Sequence, residues 1–348
     1  MKESEGRLFL GAVCFFASLF LLCCCSNGSS GGDDDSCSDY RAAMRNFVIR
    51  IADTARVRNP NFIVIPQNGQ GVAWDDDDDP ESTLNTAYLQ KISGSGREDT
   101  FYGCNSSYDI ADDTLTYSAI SQEYQYMCDI YKAHNVTILS TDYCSIPDNV
   151  TDSYARNSAR HYISFAAPER DLSVIPSSLN DSGTNYYPYH ENTENITSLS
   201  AARNFLYLIN PENYQSRSAF VTALATTNYD VLIIDLWCGN EMLTSADLHT
   251  LKRKSNGASR LVICYMSIGE AENYRYYWHS GWRPGSPSFI CALNPDWPGN
   301  YKVRYWNEDW QNIIVNGSES YLSKIINAGF DGVYLDIIDA YEFFEENE

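Results

Sequence analysis

The stretch GFDGVYLDIID (Gly329–Asp339) is the natural starting point. Its apolar run Val333-Tyr334-Leu335 ends in Asp336, and Asp339 follows three residues later. A buried strand that finishes in carboxylates is the pattern of the catalytic rim of a (β/α)8 barrel. Seven further short apolar runs are FIVIP (Phe62–Pro66), DTFYG (Asp99–Gly103), VTILSTDY (Val136–Tyr143), YISFAA (Tyr162–Ala167), NFLYLIN (Asn204–Asn210), YDVLIIDLW (Tyr229–Trp237) and RLVICYMSIG (Arg260–Gly269). Continuous apolar runs of this kind suit strands of a parallel sheet that are covered on both faces.

Helical patterns lie between them. Ser118–Asn135 carries apolar residues at helical spacing, Ser245–Gly257 opens on Ser and stops at Gly, and Ser318–Gly329 delivers the chain to the last strand through Gly329. Eight strand–helix alternations predict an α/β fold, a (β/α)8 TIM barrel with eight parallel strands. The rival, an open doubly wound sheet, lacks support because no glycine-rich phosphate loop follows any strand. The body opens with a helix (DYRAAMRNFVIRIADTARVRNP) and closes just after a strand. In a ring the first helix can serve the last strand, which makes strand one the neighbour of strand eight.

The expected organisation is a signal segment over 1–25, a flexible tether over 26–38 and the barrel over 39–348. Leu8–Leu22 is an apolar stretch of signal-peptide length behind Lys2 and Arg7, followed by Cys23, Cys24 and Cys25 and the polar run SNGSSGGDDDS. Leu–small–Cys at this place resembles a bacterial lipoprotein signal, with Cys24 or Cys25 as the lipidated residue. The alternative is an uncleaved anchor helix. Either reading puts the body outside the cytoplasm on a membrane of the bacterial cell envelope, as an outer-membrane or surface lipoprotein held through its lipid anchor. The remaining cysteines are odd in number and widely spaced, without a C-x-x-C framework; one or two disulfides are open, with no assignable pairing.

The formal charge of −22 repels nucleic acid and favours a neutral or cationic substrate, although solubility accounts for most of such a surface. Aromatics reach 14 %, with 26 Tyr and 7 Trp, whose faces stack on sugar rings and also fill cores. His134, His161, His190, His249 and His279 show no H-x-x-x-H ligand spacing, and no G-x-S-x-G elbow is present. Asp75–Asp79 reads as a solvated loop, since it lacks the spaced ligands of a Ca²⁺ loop. What remains is carboxylate chemistry. The expected strand ends supply Gln67, Asn68, Glu98, Asp142, Glu169, Asn210, Asp235, Glu270, Glu272, Asp336 and Asp339. Two carboxyls that flank a glycosidic bond hydrolyse it without metal or cofactor, one as proton donor and the other as nucleophile or as base for water.

Three blocks, YMSIGEAENYRYYW (Tyr265–Trp278), NPDWPGNYKVRYWNEDWQ (Asn294–Gln311) and AGFDGVYLDIIDAYEFFE (Ala328–Glu345), resemble glycoside-hydrolase family 114, the endo-α-1,4-polygalactosaminidase-like family. NPNFIVIPQNGQ (Asn59–Gln70) and GREDTFYG (Gly96–Gly103) join them. In the family's usual order the Leu-Asp strand precedes the strands that here carry Gln67-Asn68 and Glu98, so the chain looks circularly permuted after strand eight. The resemblance implies a (β/α)8 barrel and a catalytic pair of Asp336 and Glu98, brought to strands eight and two with only one strand between them. Glu98 is the expected acid/base and Asp336 the nucleophile or water-orienting group, with the reverse assignment open and Asp339 as a fallback for Asp336. Asn68 would hold a sugar hydroxyl. Gln67 stands where the family often has Lys, which removes a charge. Glu272 and Arg275 are expected to position substrate, and Asp142 and Asp235 to bind the amino group of a galactosamine unit. The implied activity is hydrolysis of an α-linked, galactosamine-containing polysaccharide. The alternative is a surface glycan-binding barrel without catalysis that feeds uptake partners.

Overall fold

A computed structural model describes residues 37–76, 82–176 and 188–347. The signal segment with Cys24 and Cys25, and nearly all of the tether, lie outside the described residues. So does most of the Asp75–Asp79 run; Asp75 itself accepts from Arg45 at 2.9 Å.

The core is a parallel α/β fold. Its strands are β1 (Ile63–Pro66), β2 (Gly94–Glu98), β3 (Thr137–Tyr143), β4 (Ile163–Ala167), β5 (Phe205–Leu208), β6 (Val231–Ile234), β7 (Leu261–Ser267) and β8 (Gly332–Asp336). β1, β4, β5, β6 and β7 are buried at every residue, the burial their unbroken apolar runs predict. One parallel sheet has the order β1-β8-β7-β6-β5 and a second has β2-β3-β4. β8 lies between β1 and β7, with Gly332 opposite both Ile63 of β1 and Ile263 of β7, and with Asp336 opposite Ser267. The expected adjacency of the first and last strands is therefore present.

The two sheets meet at β1 and β2 through a parallel bridge of Gln67 with Gly96. Asn68 N–H donates to Gly96 O at 2.9 Å and Ser93 N–H to Val64 O at 2.8 Å. On the far side Phe165 of β4 packs on Phe205 of β5, with ring centroids 5.7 Å apart. Among the described residues no strand pairing crosses that seam.

Helix ends follow local chemistry. Asp39 caps helix Tyr40–Arg58 by accepting from Ala42 N–H at 2.8 Å. Gly329, at φ 102°, ends helix Tyr321–Ala328 in the left-handed conformation that glycine adopts without a steric penalty. The first helix lies against the last one, Ala340–Asn347, through the Arg41–Glu345 ion pair at 2.8 Å and the Tyr40–Phe344 ring contact at 5.6 Å. Among the described residues no helix is long and apolar enough to cross a membrane. Cys104, Cys128, Cys144, Cys238 and Cys264 are free, buried thiols.

One strand differs from its expectation. The second strand is GSGRE, Gly94–Glu98, whereas DTFYG enters an antiparallel hairpin of Tyr102–Cys104 with Ile110–Leu115. The glycines that make GSGRE read as a loop are required by packing. A Cβ on Gly96 would lie 2.0 Å from Tyr334 Oη, and one on Gly94 would lie 2.7 Å from the Leu199 side chain.

Candidate active site

The carboxyl ends of β8, β1 and β2 lie side by side, and each turns away through a left-handed residue that is not glycine. These are Ile337 (φ 60°), Asn68 (φ 55°) and Asp99 (φ 54°). For a β-branched residue such as Ile337 this is a true outlier, and such strain costs about 1–3 kcal/mol per residue. Adjacent turns of this kind aim the last side chains of three strands at one place. Gly69 (φ 53°) completes the turn after β1, where a Cβ would meet Asp339 N at 2.8 Å.

Asp336 and Glu98 are both half-buried at this place. Asp336 accepts from Tyr265 Oη through Oδ2 at 2.6 Å and from Ile337 N–H through Oδ1 at 2.9 Å. Burial pushes its carboxyl up to about 8; the Tyr265 hydrogen bond opposes the rise, while the charges of Glu98 and Asp339 add to it. Glu98 accepts from Asn68 Nδ2 at 2.8 Å and from the Tyr143 hydroxyl, and its own N–H donates to Asn68 Oδ1 at 3.1 Å. Asn68 thus clamps Glu98 by both side chain and backbone. Asp339 joins the group: burial raises its carboxyl, Lys302 and Arg97 oppose that, and Glu98 adds to it.

Tyrosines form the floor. Tyr207 Oη donates to Gln67 Oε1 at 2.9 Å, and its ring lies 5.1 Å from that of Tyr334. The Tyr334 hydroxyl is buried and has no hydrogen-bond partner among the described residues. Arg170 braces one wall. It binds Asp99 Oδ1 at 2.6 Å, Asp112 Oδ1 at 2.6 Å and Gly103 O at 2.7 Å, and its guanidinium lies 4.0 Å from the centroid of the Tyr143 ring. Burial raises Asp99 to about 7 against the pull of Arg170.

The other expected site residues fall into two groups. Asp142 is fully buried and its oxygens are used internally. Phe101 N–H and Tyr102 N–H donate to Oδ1, and Ser153 Oγ and Asn157 Nδ2 donate to Oδ2. The surface-facing amino-sugar role expected of it is therefore corrected: Asp142 has no exposed surface and ties the hairpin and helix Pro147–Ala159 to β3. Asp235, Glu272 and Arg275 do come together, but on each other. Arg275 meets Asp235 Oδ2 at 2.7 Å and Glu272 Oε2 at 2.5 Å, and all three are buried. The charged groups expected to meet substrate are thus spent on one another in the interior.

Tyr143, Tyr265 and Arg170 were not singled out from the sequence. Tyr265 was within reach, since parallel register sets it beside Tyr334, two residues before Asp336 on the same face of the sheet. Arg170 follows the end of β4, where only the fold shows its partners. Among the described residues no cluster of three His, Cys, Asp or Glu side chains is arranged to hold a metal ion. A half-buried carboxyl that keeps its proton near neutrality, beside a second carboxyl that accepts two hydrogen bonds, is an arrangement able to protonate one atom while attacking or deprotonating another.

Comparison with known proteins finds similarity over part of the chain. The chain is 38 % identical over 159 residues to an uncharacterised protein of Methanocaldococcus jannaschii, covering 45 % of this chain and 43 % of that protein. It is 48 % identical over 83 residues to an uncharacterised protein of Deinococcus radiodurans (24 % and 26 %) and 32 % identical over 133 residues to one of Thermotoga maritima (38 % and 40 %). The chain thus spans less than half the length of these relatives. The sequence model of Glycoside-hydrolase family GH114 matches residues 197–348, the part that carries β5 to β8 with Asp336. Over that stretch, somewhat less than half of the chain, it is similar to glycoside-hydrolase family GH114.

Proposed function

We propose that the protein is a glycosidase that cleaves an α-linked, galactosamine-containing polysaccharide with Asp336 and Glu98. The observation that carries this reading is the unlike environment of two neighbouring carboxyls. Asp336, raised to about 8, holds a proton at neutral pH and is suited to donate it to the glycosidic oxygen. Glu98, with donors from Asn68 and Tyr143, is suited to act as the carboxylate that attacks the anomeric carbon or activates water. This reverses the assignment expected from the sequence. The physical reason is burial of Asp336 beside two further carboxylates.

The reading includes a closed (β/α)8 barrel in which the two sheets are arcs of one ring. The Gln67–Gly96 bridge and the Phe165–Phe205 contact support closure at the two seams. It also includes circular permutation, supported by a family match that takes in β5 to β8 without β1 to β4. Anchoring to a cell envelope through Cys24 or Cys25 rests on the sequence of residues 1–25.

The experiment is product release from partially de-acetylated α-1,4-galactosaminogalactan and from a panel of neutral glycans. Wild type releases oligosaccharides from the amino-sugar polymer, while folded Asp336→Asn and Glu98→Gln lose about 10²–10⁴-fold in rate. Binding without any product by wild type would overturn the hydrolase reading in favour of a non-catalytic glycan binder.

A further inference from the structure

We propose that Tyr274, with the Trp237–Tyr276 stack as its adjoining wall, forms a sugar-stacking subsite for a pyranose ring of a polysaccharide chain, apart from the carboxylate pair. The inference rests on the glycan-active reading above and adds where a remote unit of the chain is held.

These residues lie on the same rim as the carboxylates. Trp237 follows the end of β6, and Tyr274 and Tyr276 lie just beyond Glu270–Glu272, the segment that leaves β7. Two strand spacings separate the ends of β6 and β8, roughly 10 Å in all. Tyr265 links the two places: its hydroxyl donates to Asp336, and the charges of Asp336 and Glu272 both act on it.

The aromatic side chains are presented in an unusual way. An exposed tyrosine ordinarily turns its hydroxyl to water and rests its ring on the protein. Tyr274 is 64 % exposed, yet its hydroxyl is turned inward and donates to the buried Glu272 Oε1 at 2.5 Å. Tyr276, 41 % exposed, donates to Glu319 O at 3.1 Å. Both hydroxyls are fixed, and ring surface is left to solvent. Trp237 stacks on Tyr276 at 5.4 Å with planes 20° apart, and Tyr321 meets Trp237 edge-on at 5.3 Å. The Arg275 guanidinium lies 5.1 Å from the Tyr274 ring and 5.8 Å from the Trp237 ring, so one cation sets both.

The buried cluster of Asp235, Glu272 and Arg275 therefore acts as a foundation. Burying three charges is costly unless the geometry satisfies them. Here Trp237 N–H and Arg275 satisfy Asp235, and Arg275 and Tyr274 satisfy Glu272. An aromatic platform fixed in advance loses little conformational freedom when a ligand arrives. The apolar C–H face of a pyranose is the ligand chemistry that fits an exposed, pinned aromatic ring beside a carboxylate pair.

The test measures binding and cleavage of size-sorted fragments of partially de-acetylated α-1,4-galactosaminogalactan by the full chain, comparing wild type with Tyr274→Ala and Tyr274→Phe. Intrinsic tryptophan fluorescence reports binding, and circular dichroism confirms the fold. Tyr274→Ala weakens binding of long fragments and raises their KM roughly 3- to 10-fold, with kcat and the shortest fragments unchanged. Tyr274→Phe keeps the ring, loses only the pin, and falls between. Equal affinity and KM for wild type and folded Tyr274→Ala at every length overturns the subsite, as does failure of wild type to bind the polymer. If wild type binds without cutting and Tyr274→Ala still weakens binding, the subsite stands while the hydrolase reading falls. If wild type cuts and Tyr274→Ala is indistinguishable from it, the subsite falls alone.

Discussion

Tyr265 of β7 donates its hydroxyl to Asp336 of β8 at 2.6 Å, across strands that pair in parallel register with Ser267 opposite Asp336. The bond favours the charged form of a carboxyl that burial otherwise holds protonated up to about 8. Removing the donor in Tyr265→Phe therefore raises the Asp336 pKa further. The alkaline limb of the pH–rate profile, where the proton donor is lost, moves to higher pH in this variant. A limb that stays in place or moves down would contradict the assignment of Asp336 as acid.

Stability carries the same signature. The folded-state pKa of Asp336 lies above its ordinary value of 3.8, so between those pH values the folded chain binds the proton more tightly than the unfolded chain does. Its contribution to stability is fully present below pH 4 and is lost as pH rises towards 8. Asp336→Asn, which carries no charge, therefore gains on wild type as pH rises. Thermal melts at pH 5 and pH 8 give a larger Tm advantage for the variant at pH 8. An advantage independent of pH would show that the carboxyl is not raised.

Arg170 is the only cation hydrogen-bonded to Asp99 among the described residues, and it also covers the Tyr143 ring. Arg170→Met leaves Asp99 half-buried without its partner and costs up to about 3 kcal/mol. Asp99 then takes up a proton, so the loss is greatest above pH 7. Adding Asp99→Asn recovers part of it in chemical denaturation. No recovery in the double variant would mean that the pair is not what Arg170 supplies.

Gly96 is filled from the opposite side by the Tyr334 hydroxyl, 2.0 Å from where a Cβ would stand. Gly96→Ala destabilises by about 1–3 kcal/mol and lowers activity by displacing the tyrosine floor. Gly281→Ala, where nothing lies within 4 Å, is the control and stays near wild type. Equal stability of the two variants would exclude the tight floor.

Much of this was legible in the sequence. The run Val333-Tyr334-Leu335-Asp336 is a strand with its carboxylate at the end, and FIVIP lies beside it. These were readable because buried parallel strands are apolar at every position. β2 was misplaced because its packing needs glycines, which by pattern alone signal a turn. Glu98 was nonetheless singled out, through the family resemblance of GREDTFYG and not through the strand it closes. Asp142 and Asp235 look alike in sequence, each a carboxylate at the end of an apolar run. Only the partners distinguish them: backbone N–H groups and short side chains for Asp142, the distant Arg275 for Asp235. The hydroxyls of Tyr143 and Tyr265 were hidden for the same reason, because a tyrosine in a strand reads as core until its oxygen is seen on a carboxylate.

The division of labour between Asp336 and Glu98 is the central claim, and the most direct test is leaving-group dependence. An activated aryl α-glycoside of the cleaved sugar departs without needing a proton. On that substrate Asp336→Asn retains most of the wild-type rate while Glu98→Gln loses it, although both are inactive on the polymer. The opposite pattern, with Glu98→Gln active on the aryl glycoside and Asp336→Asn inactive, would contradict the account.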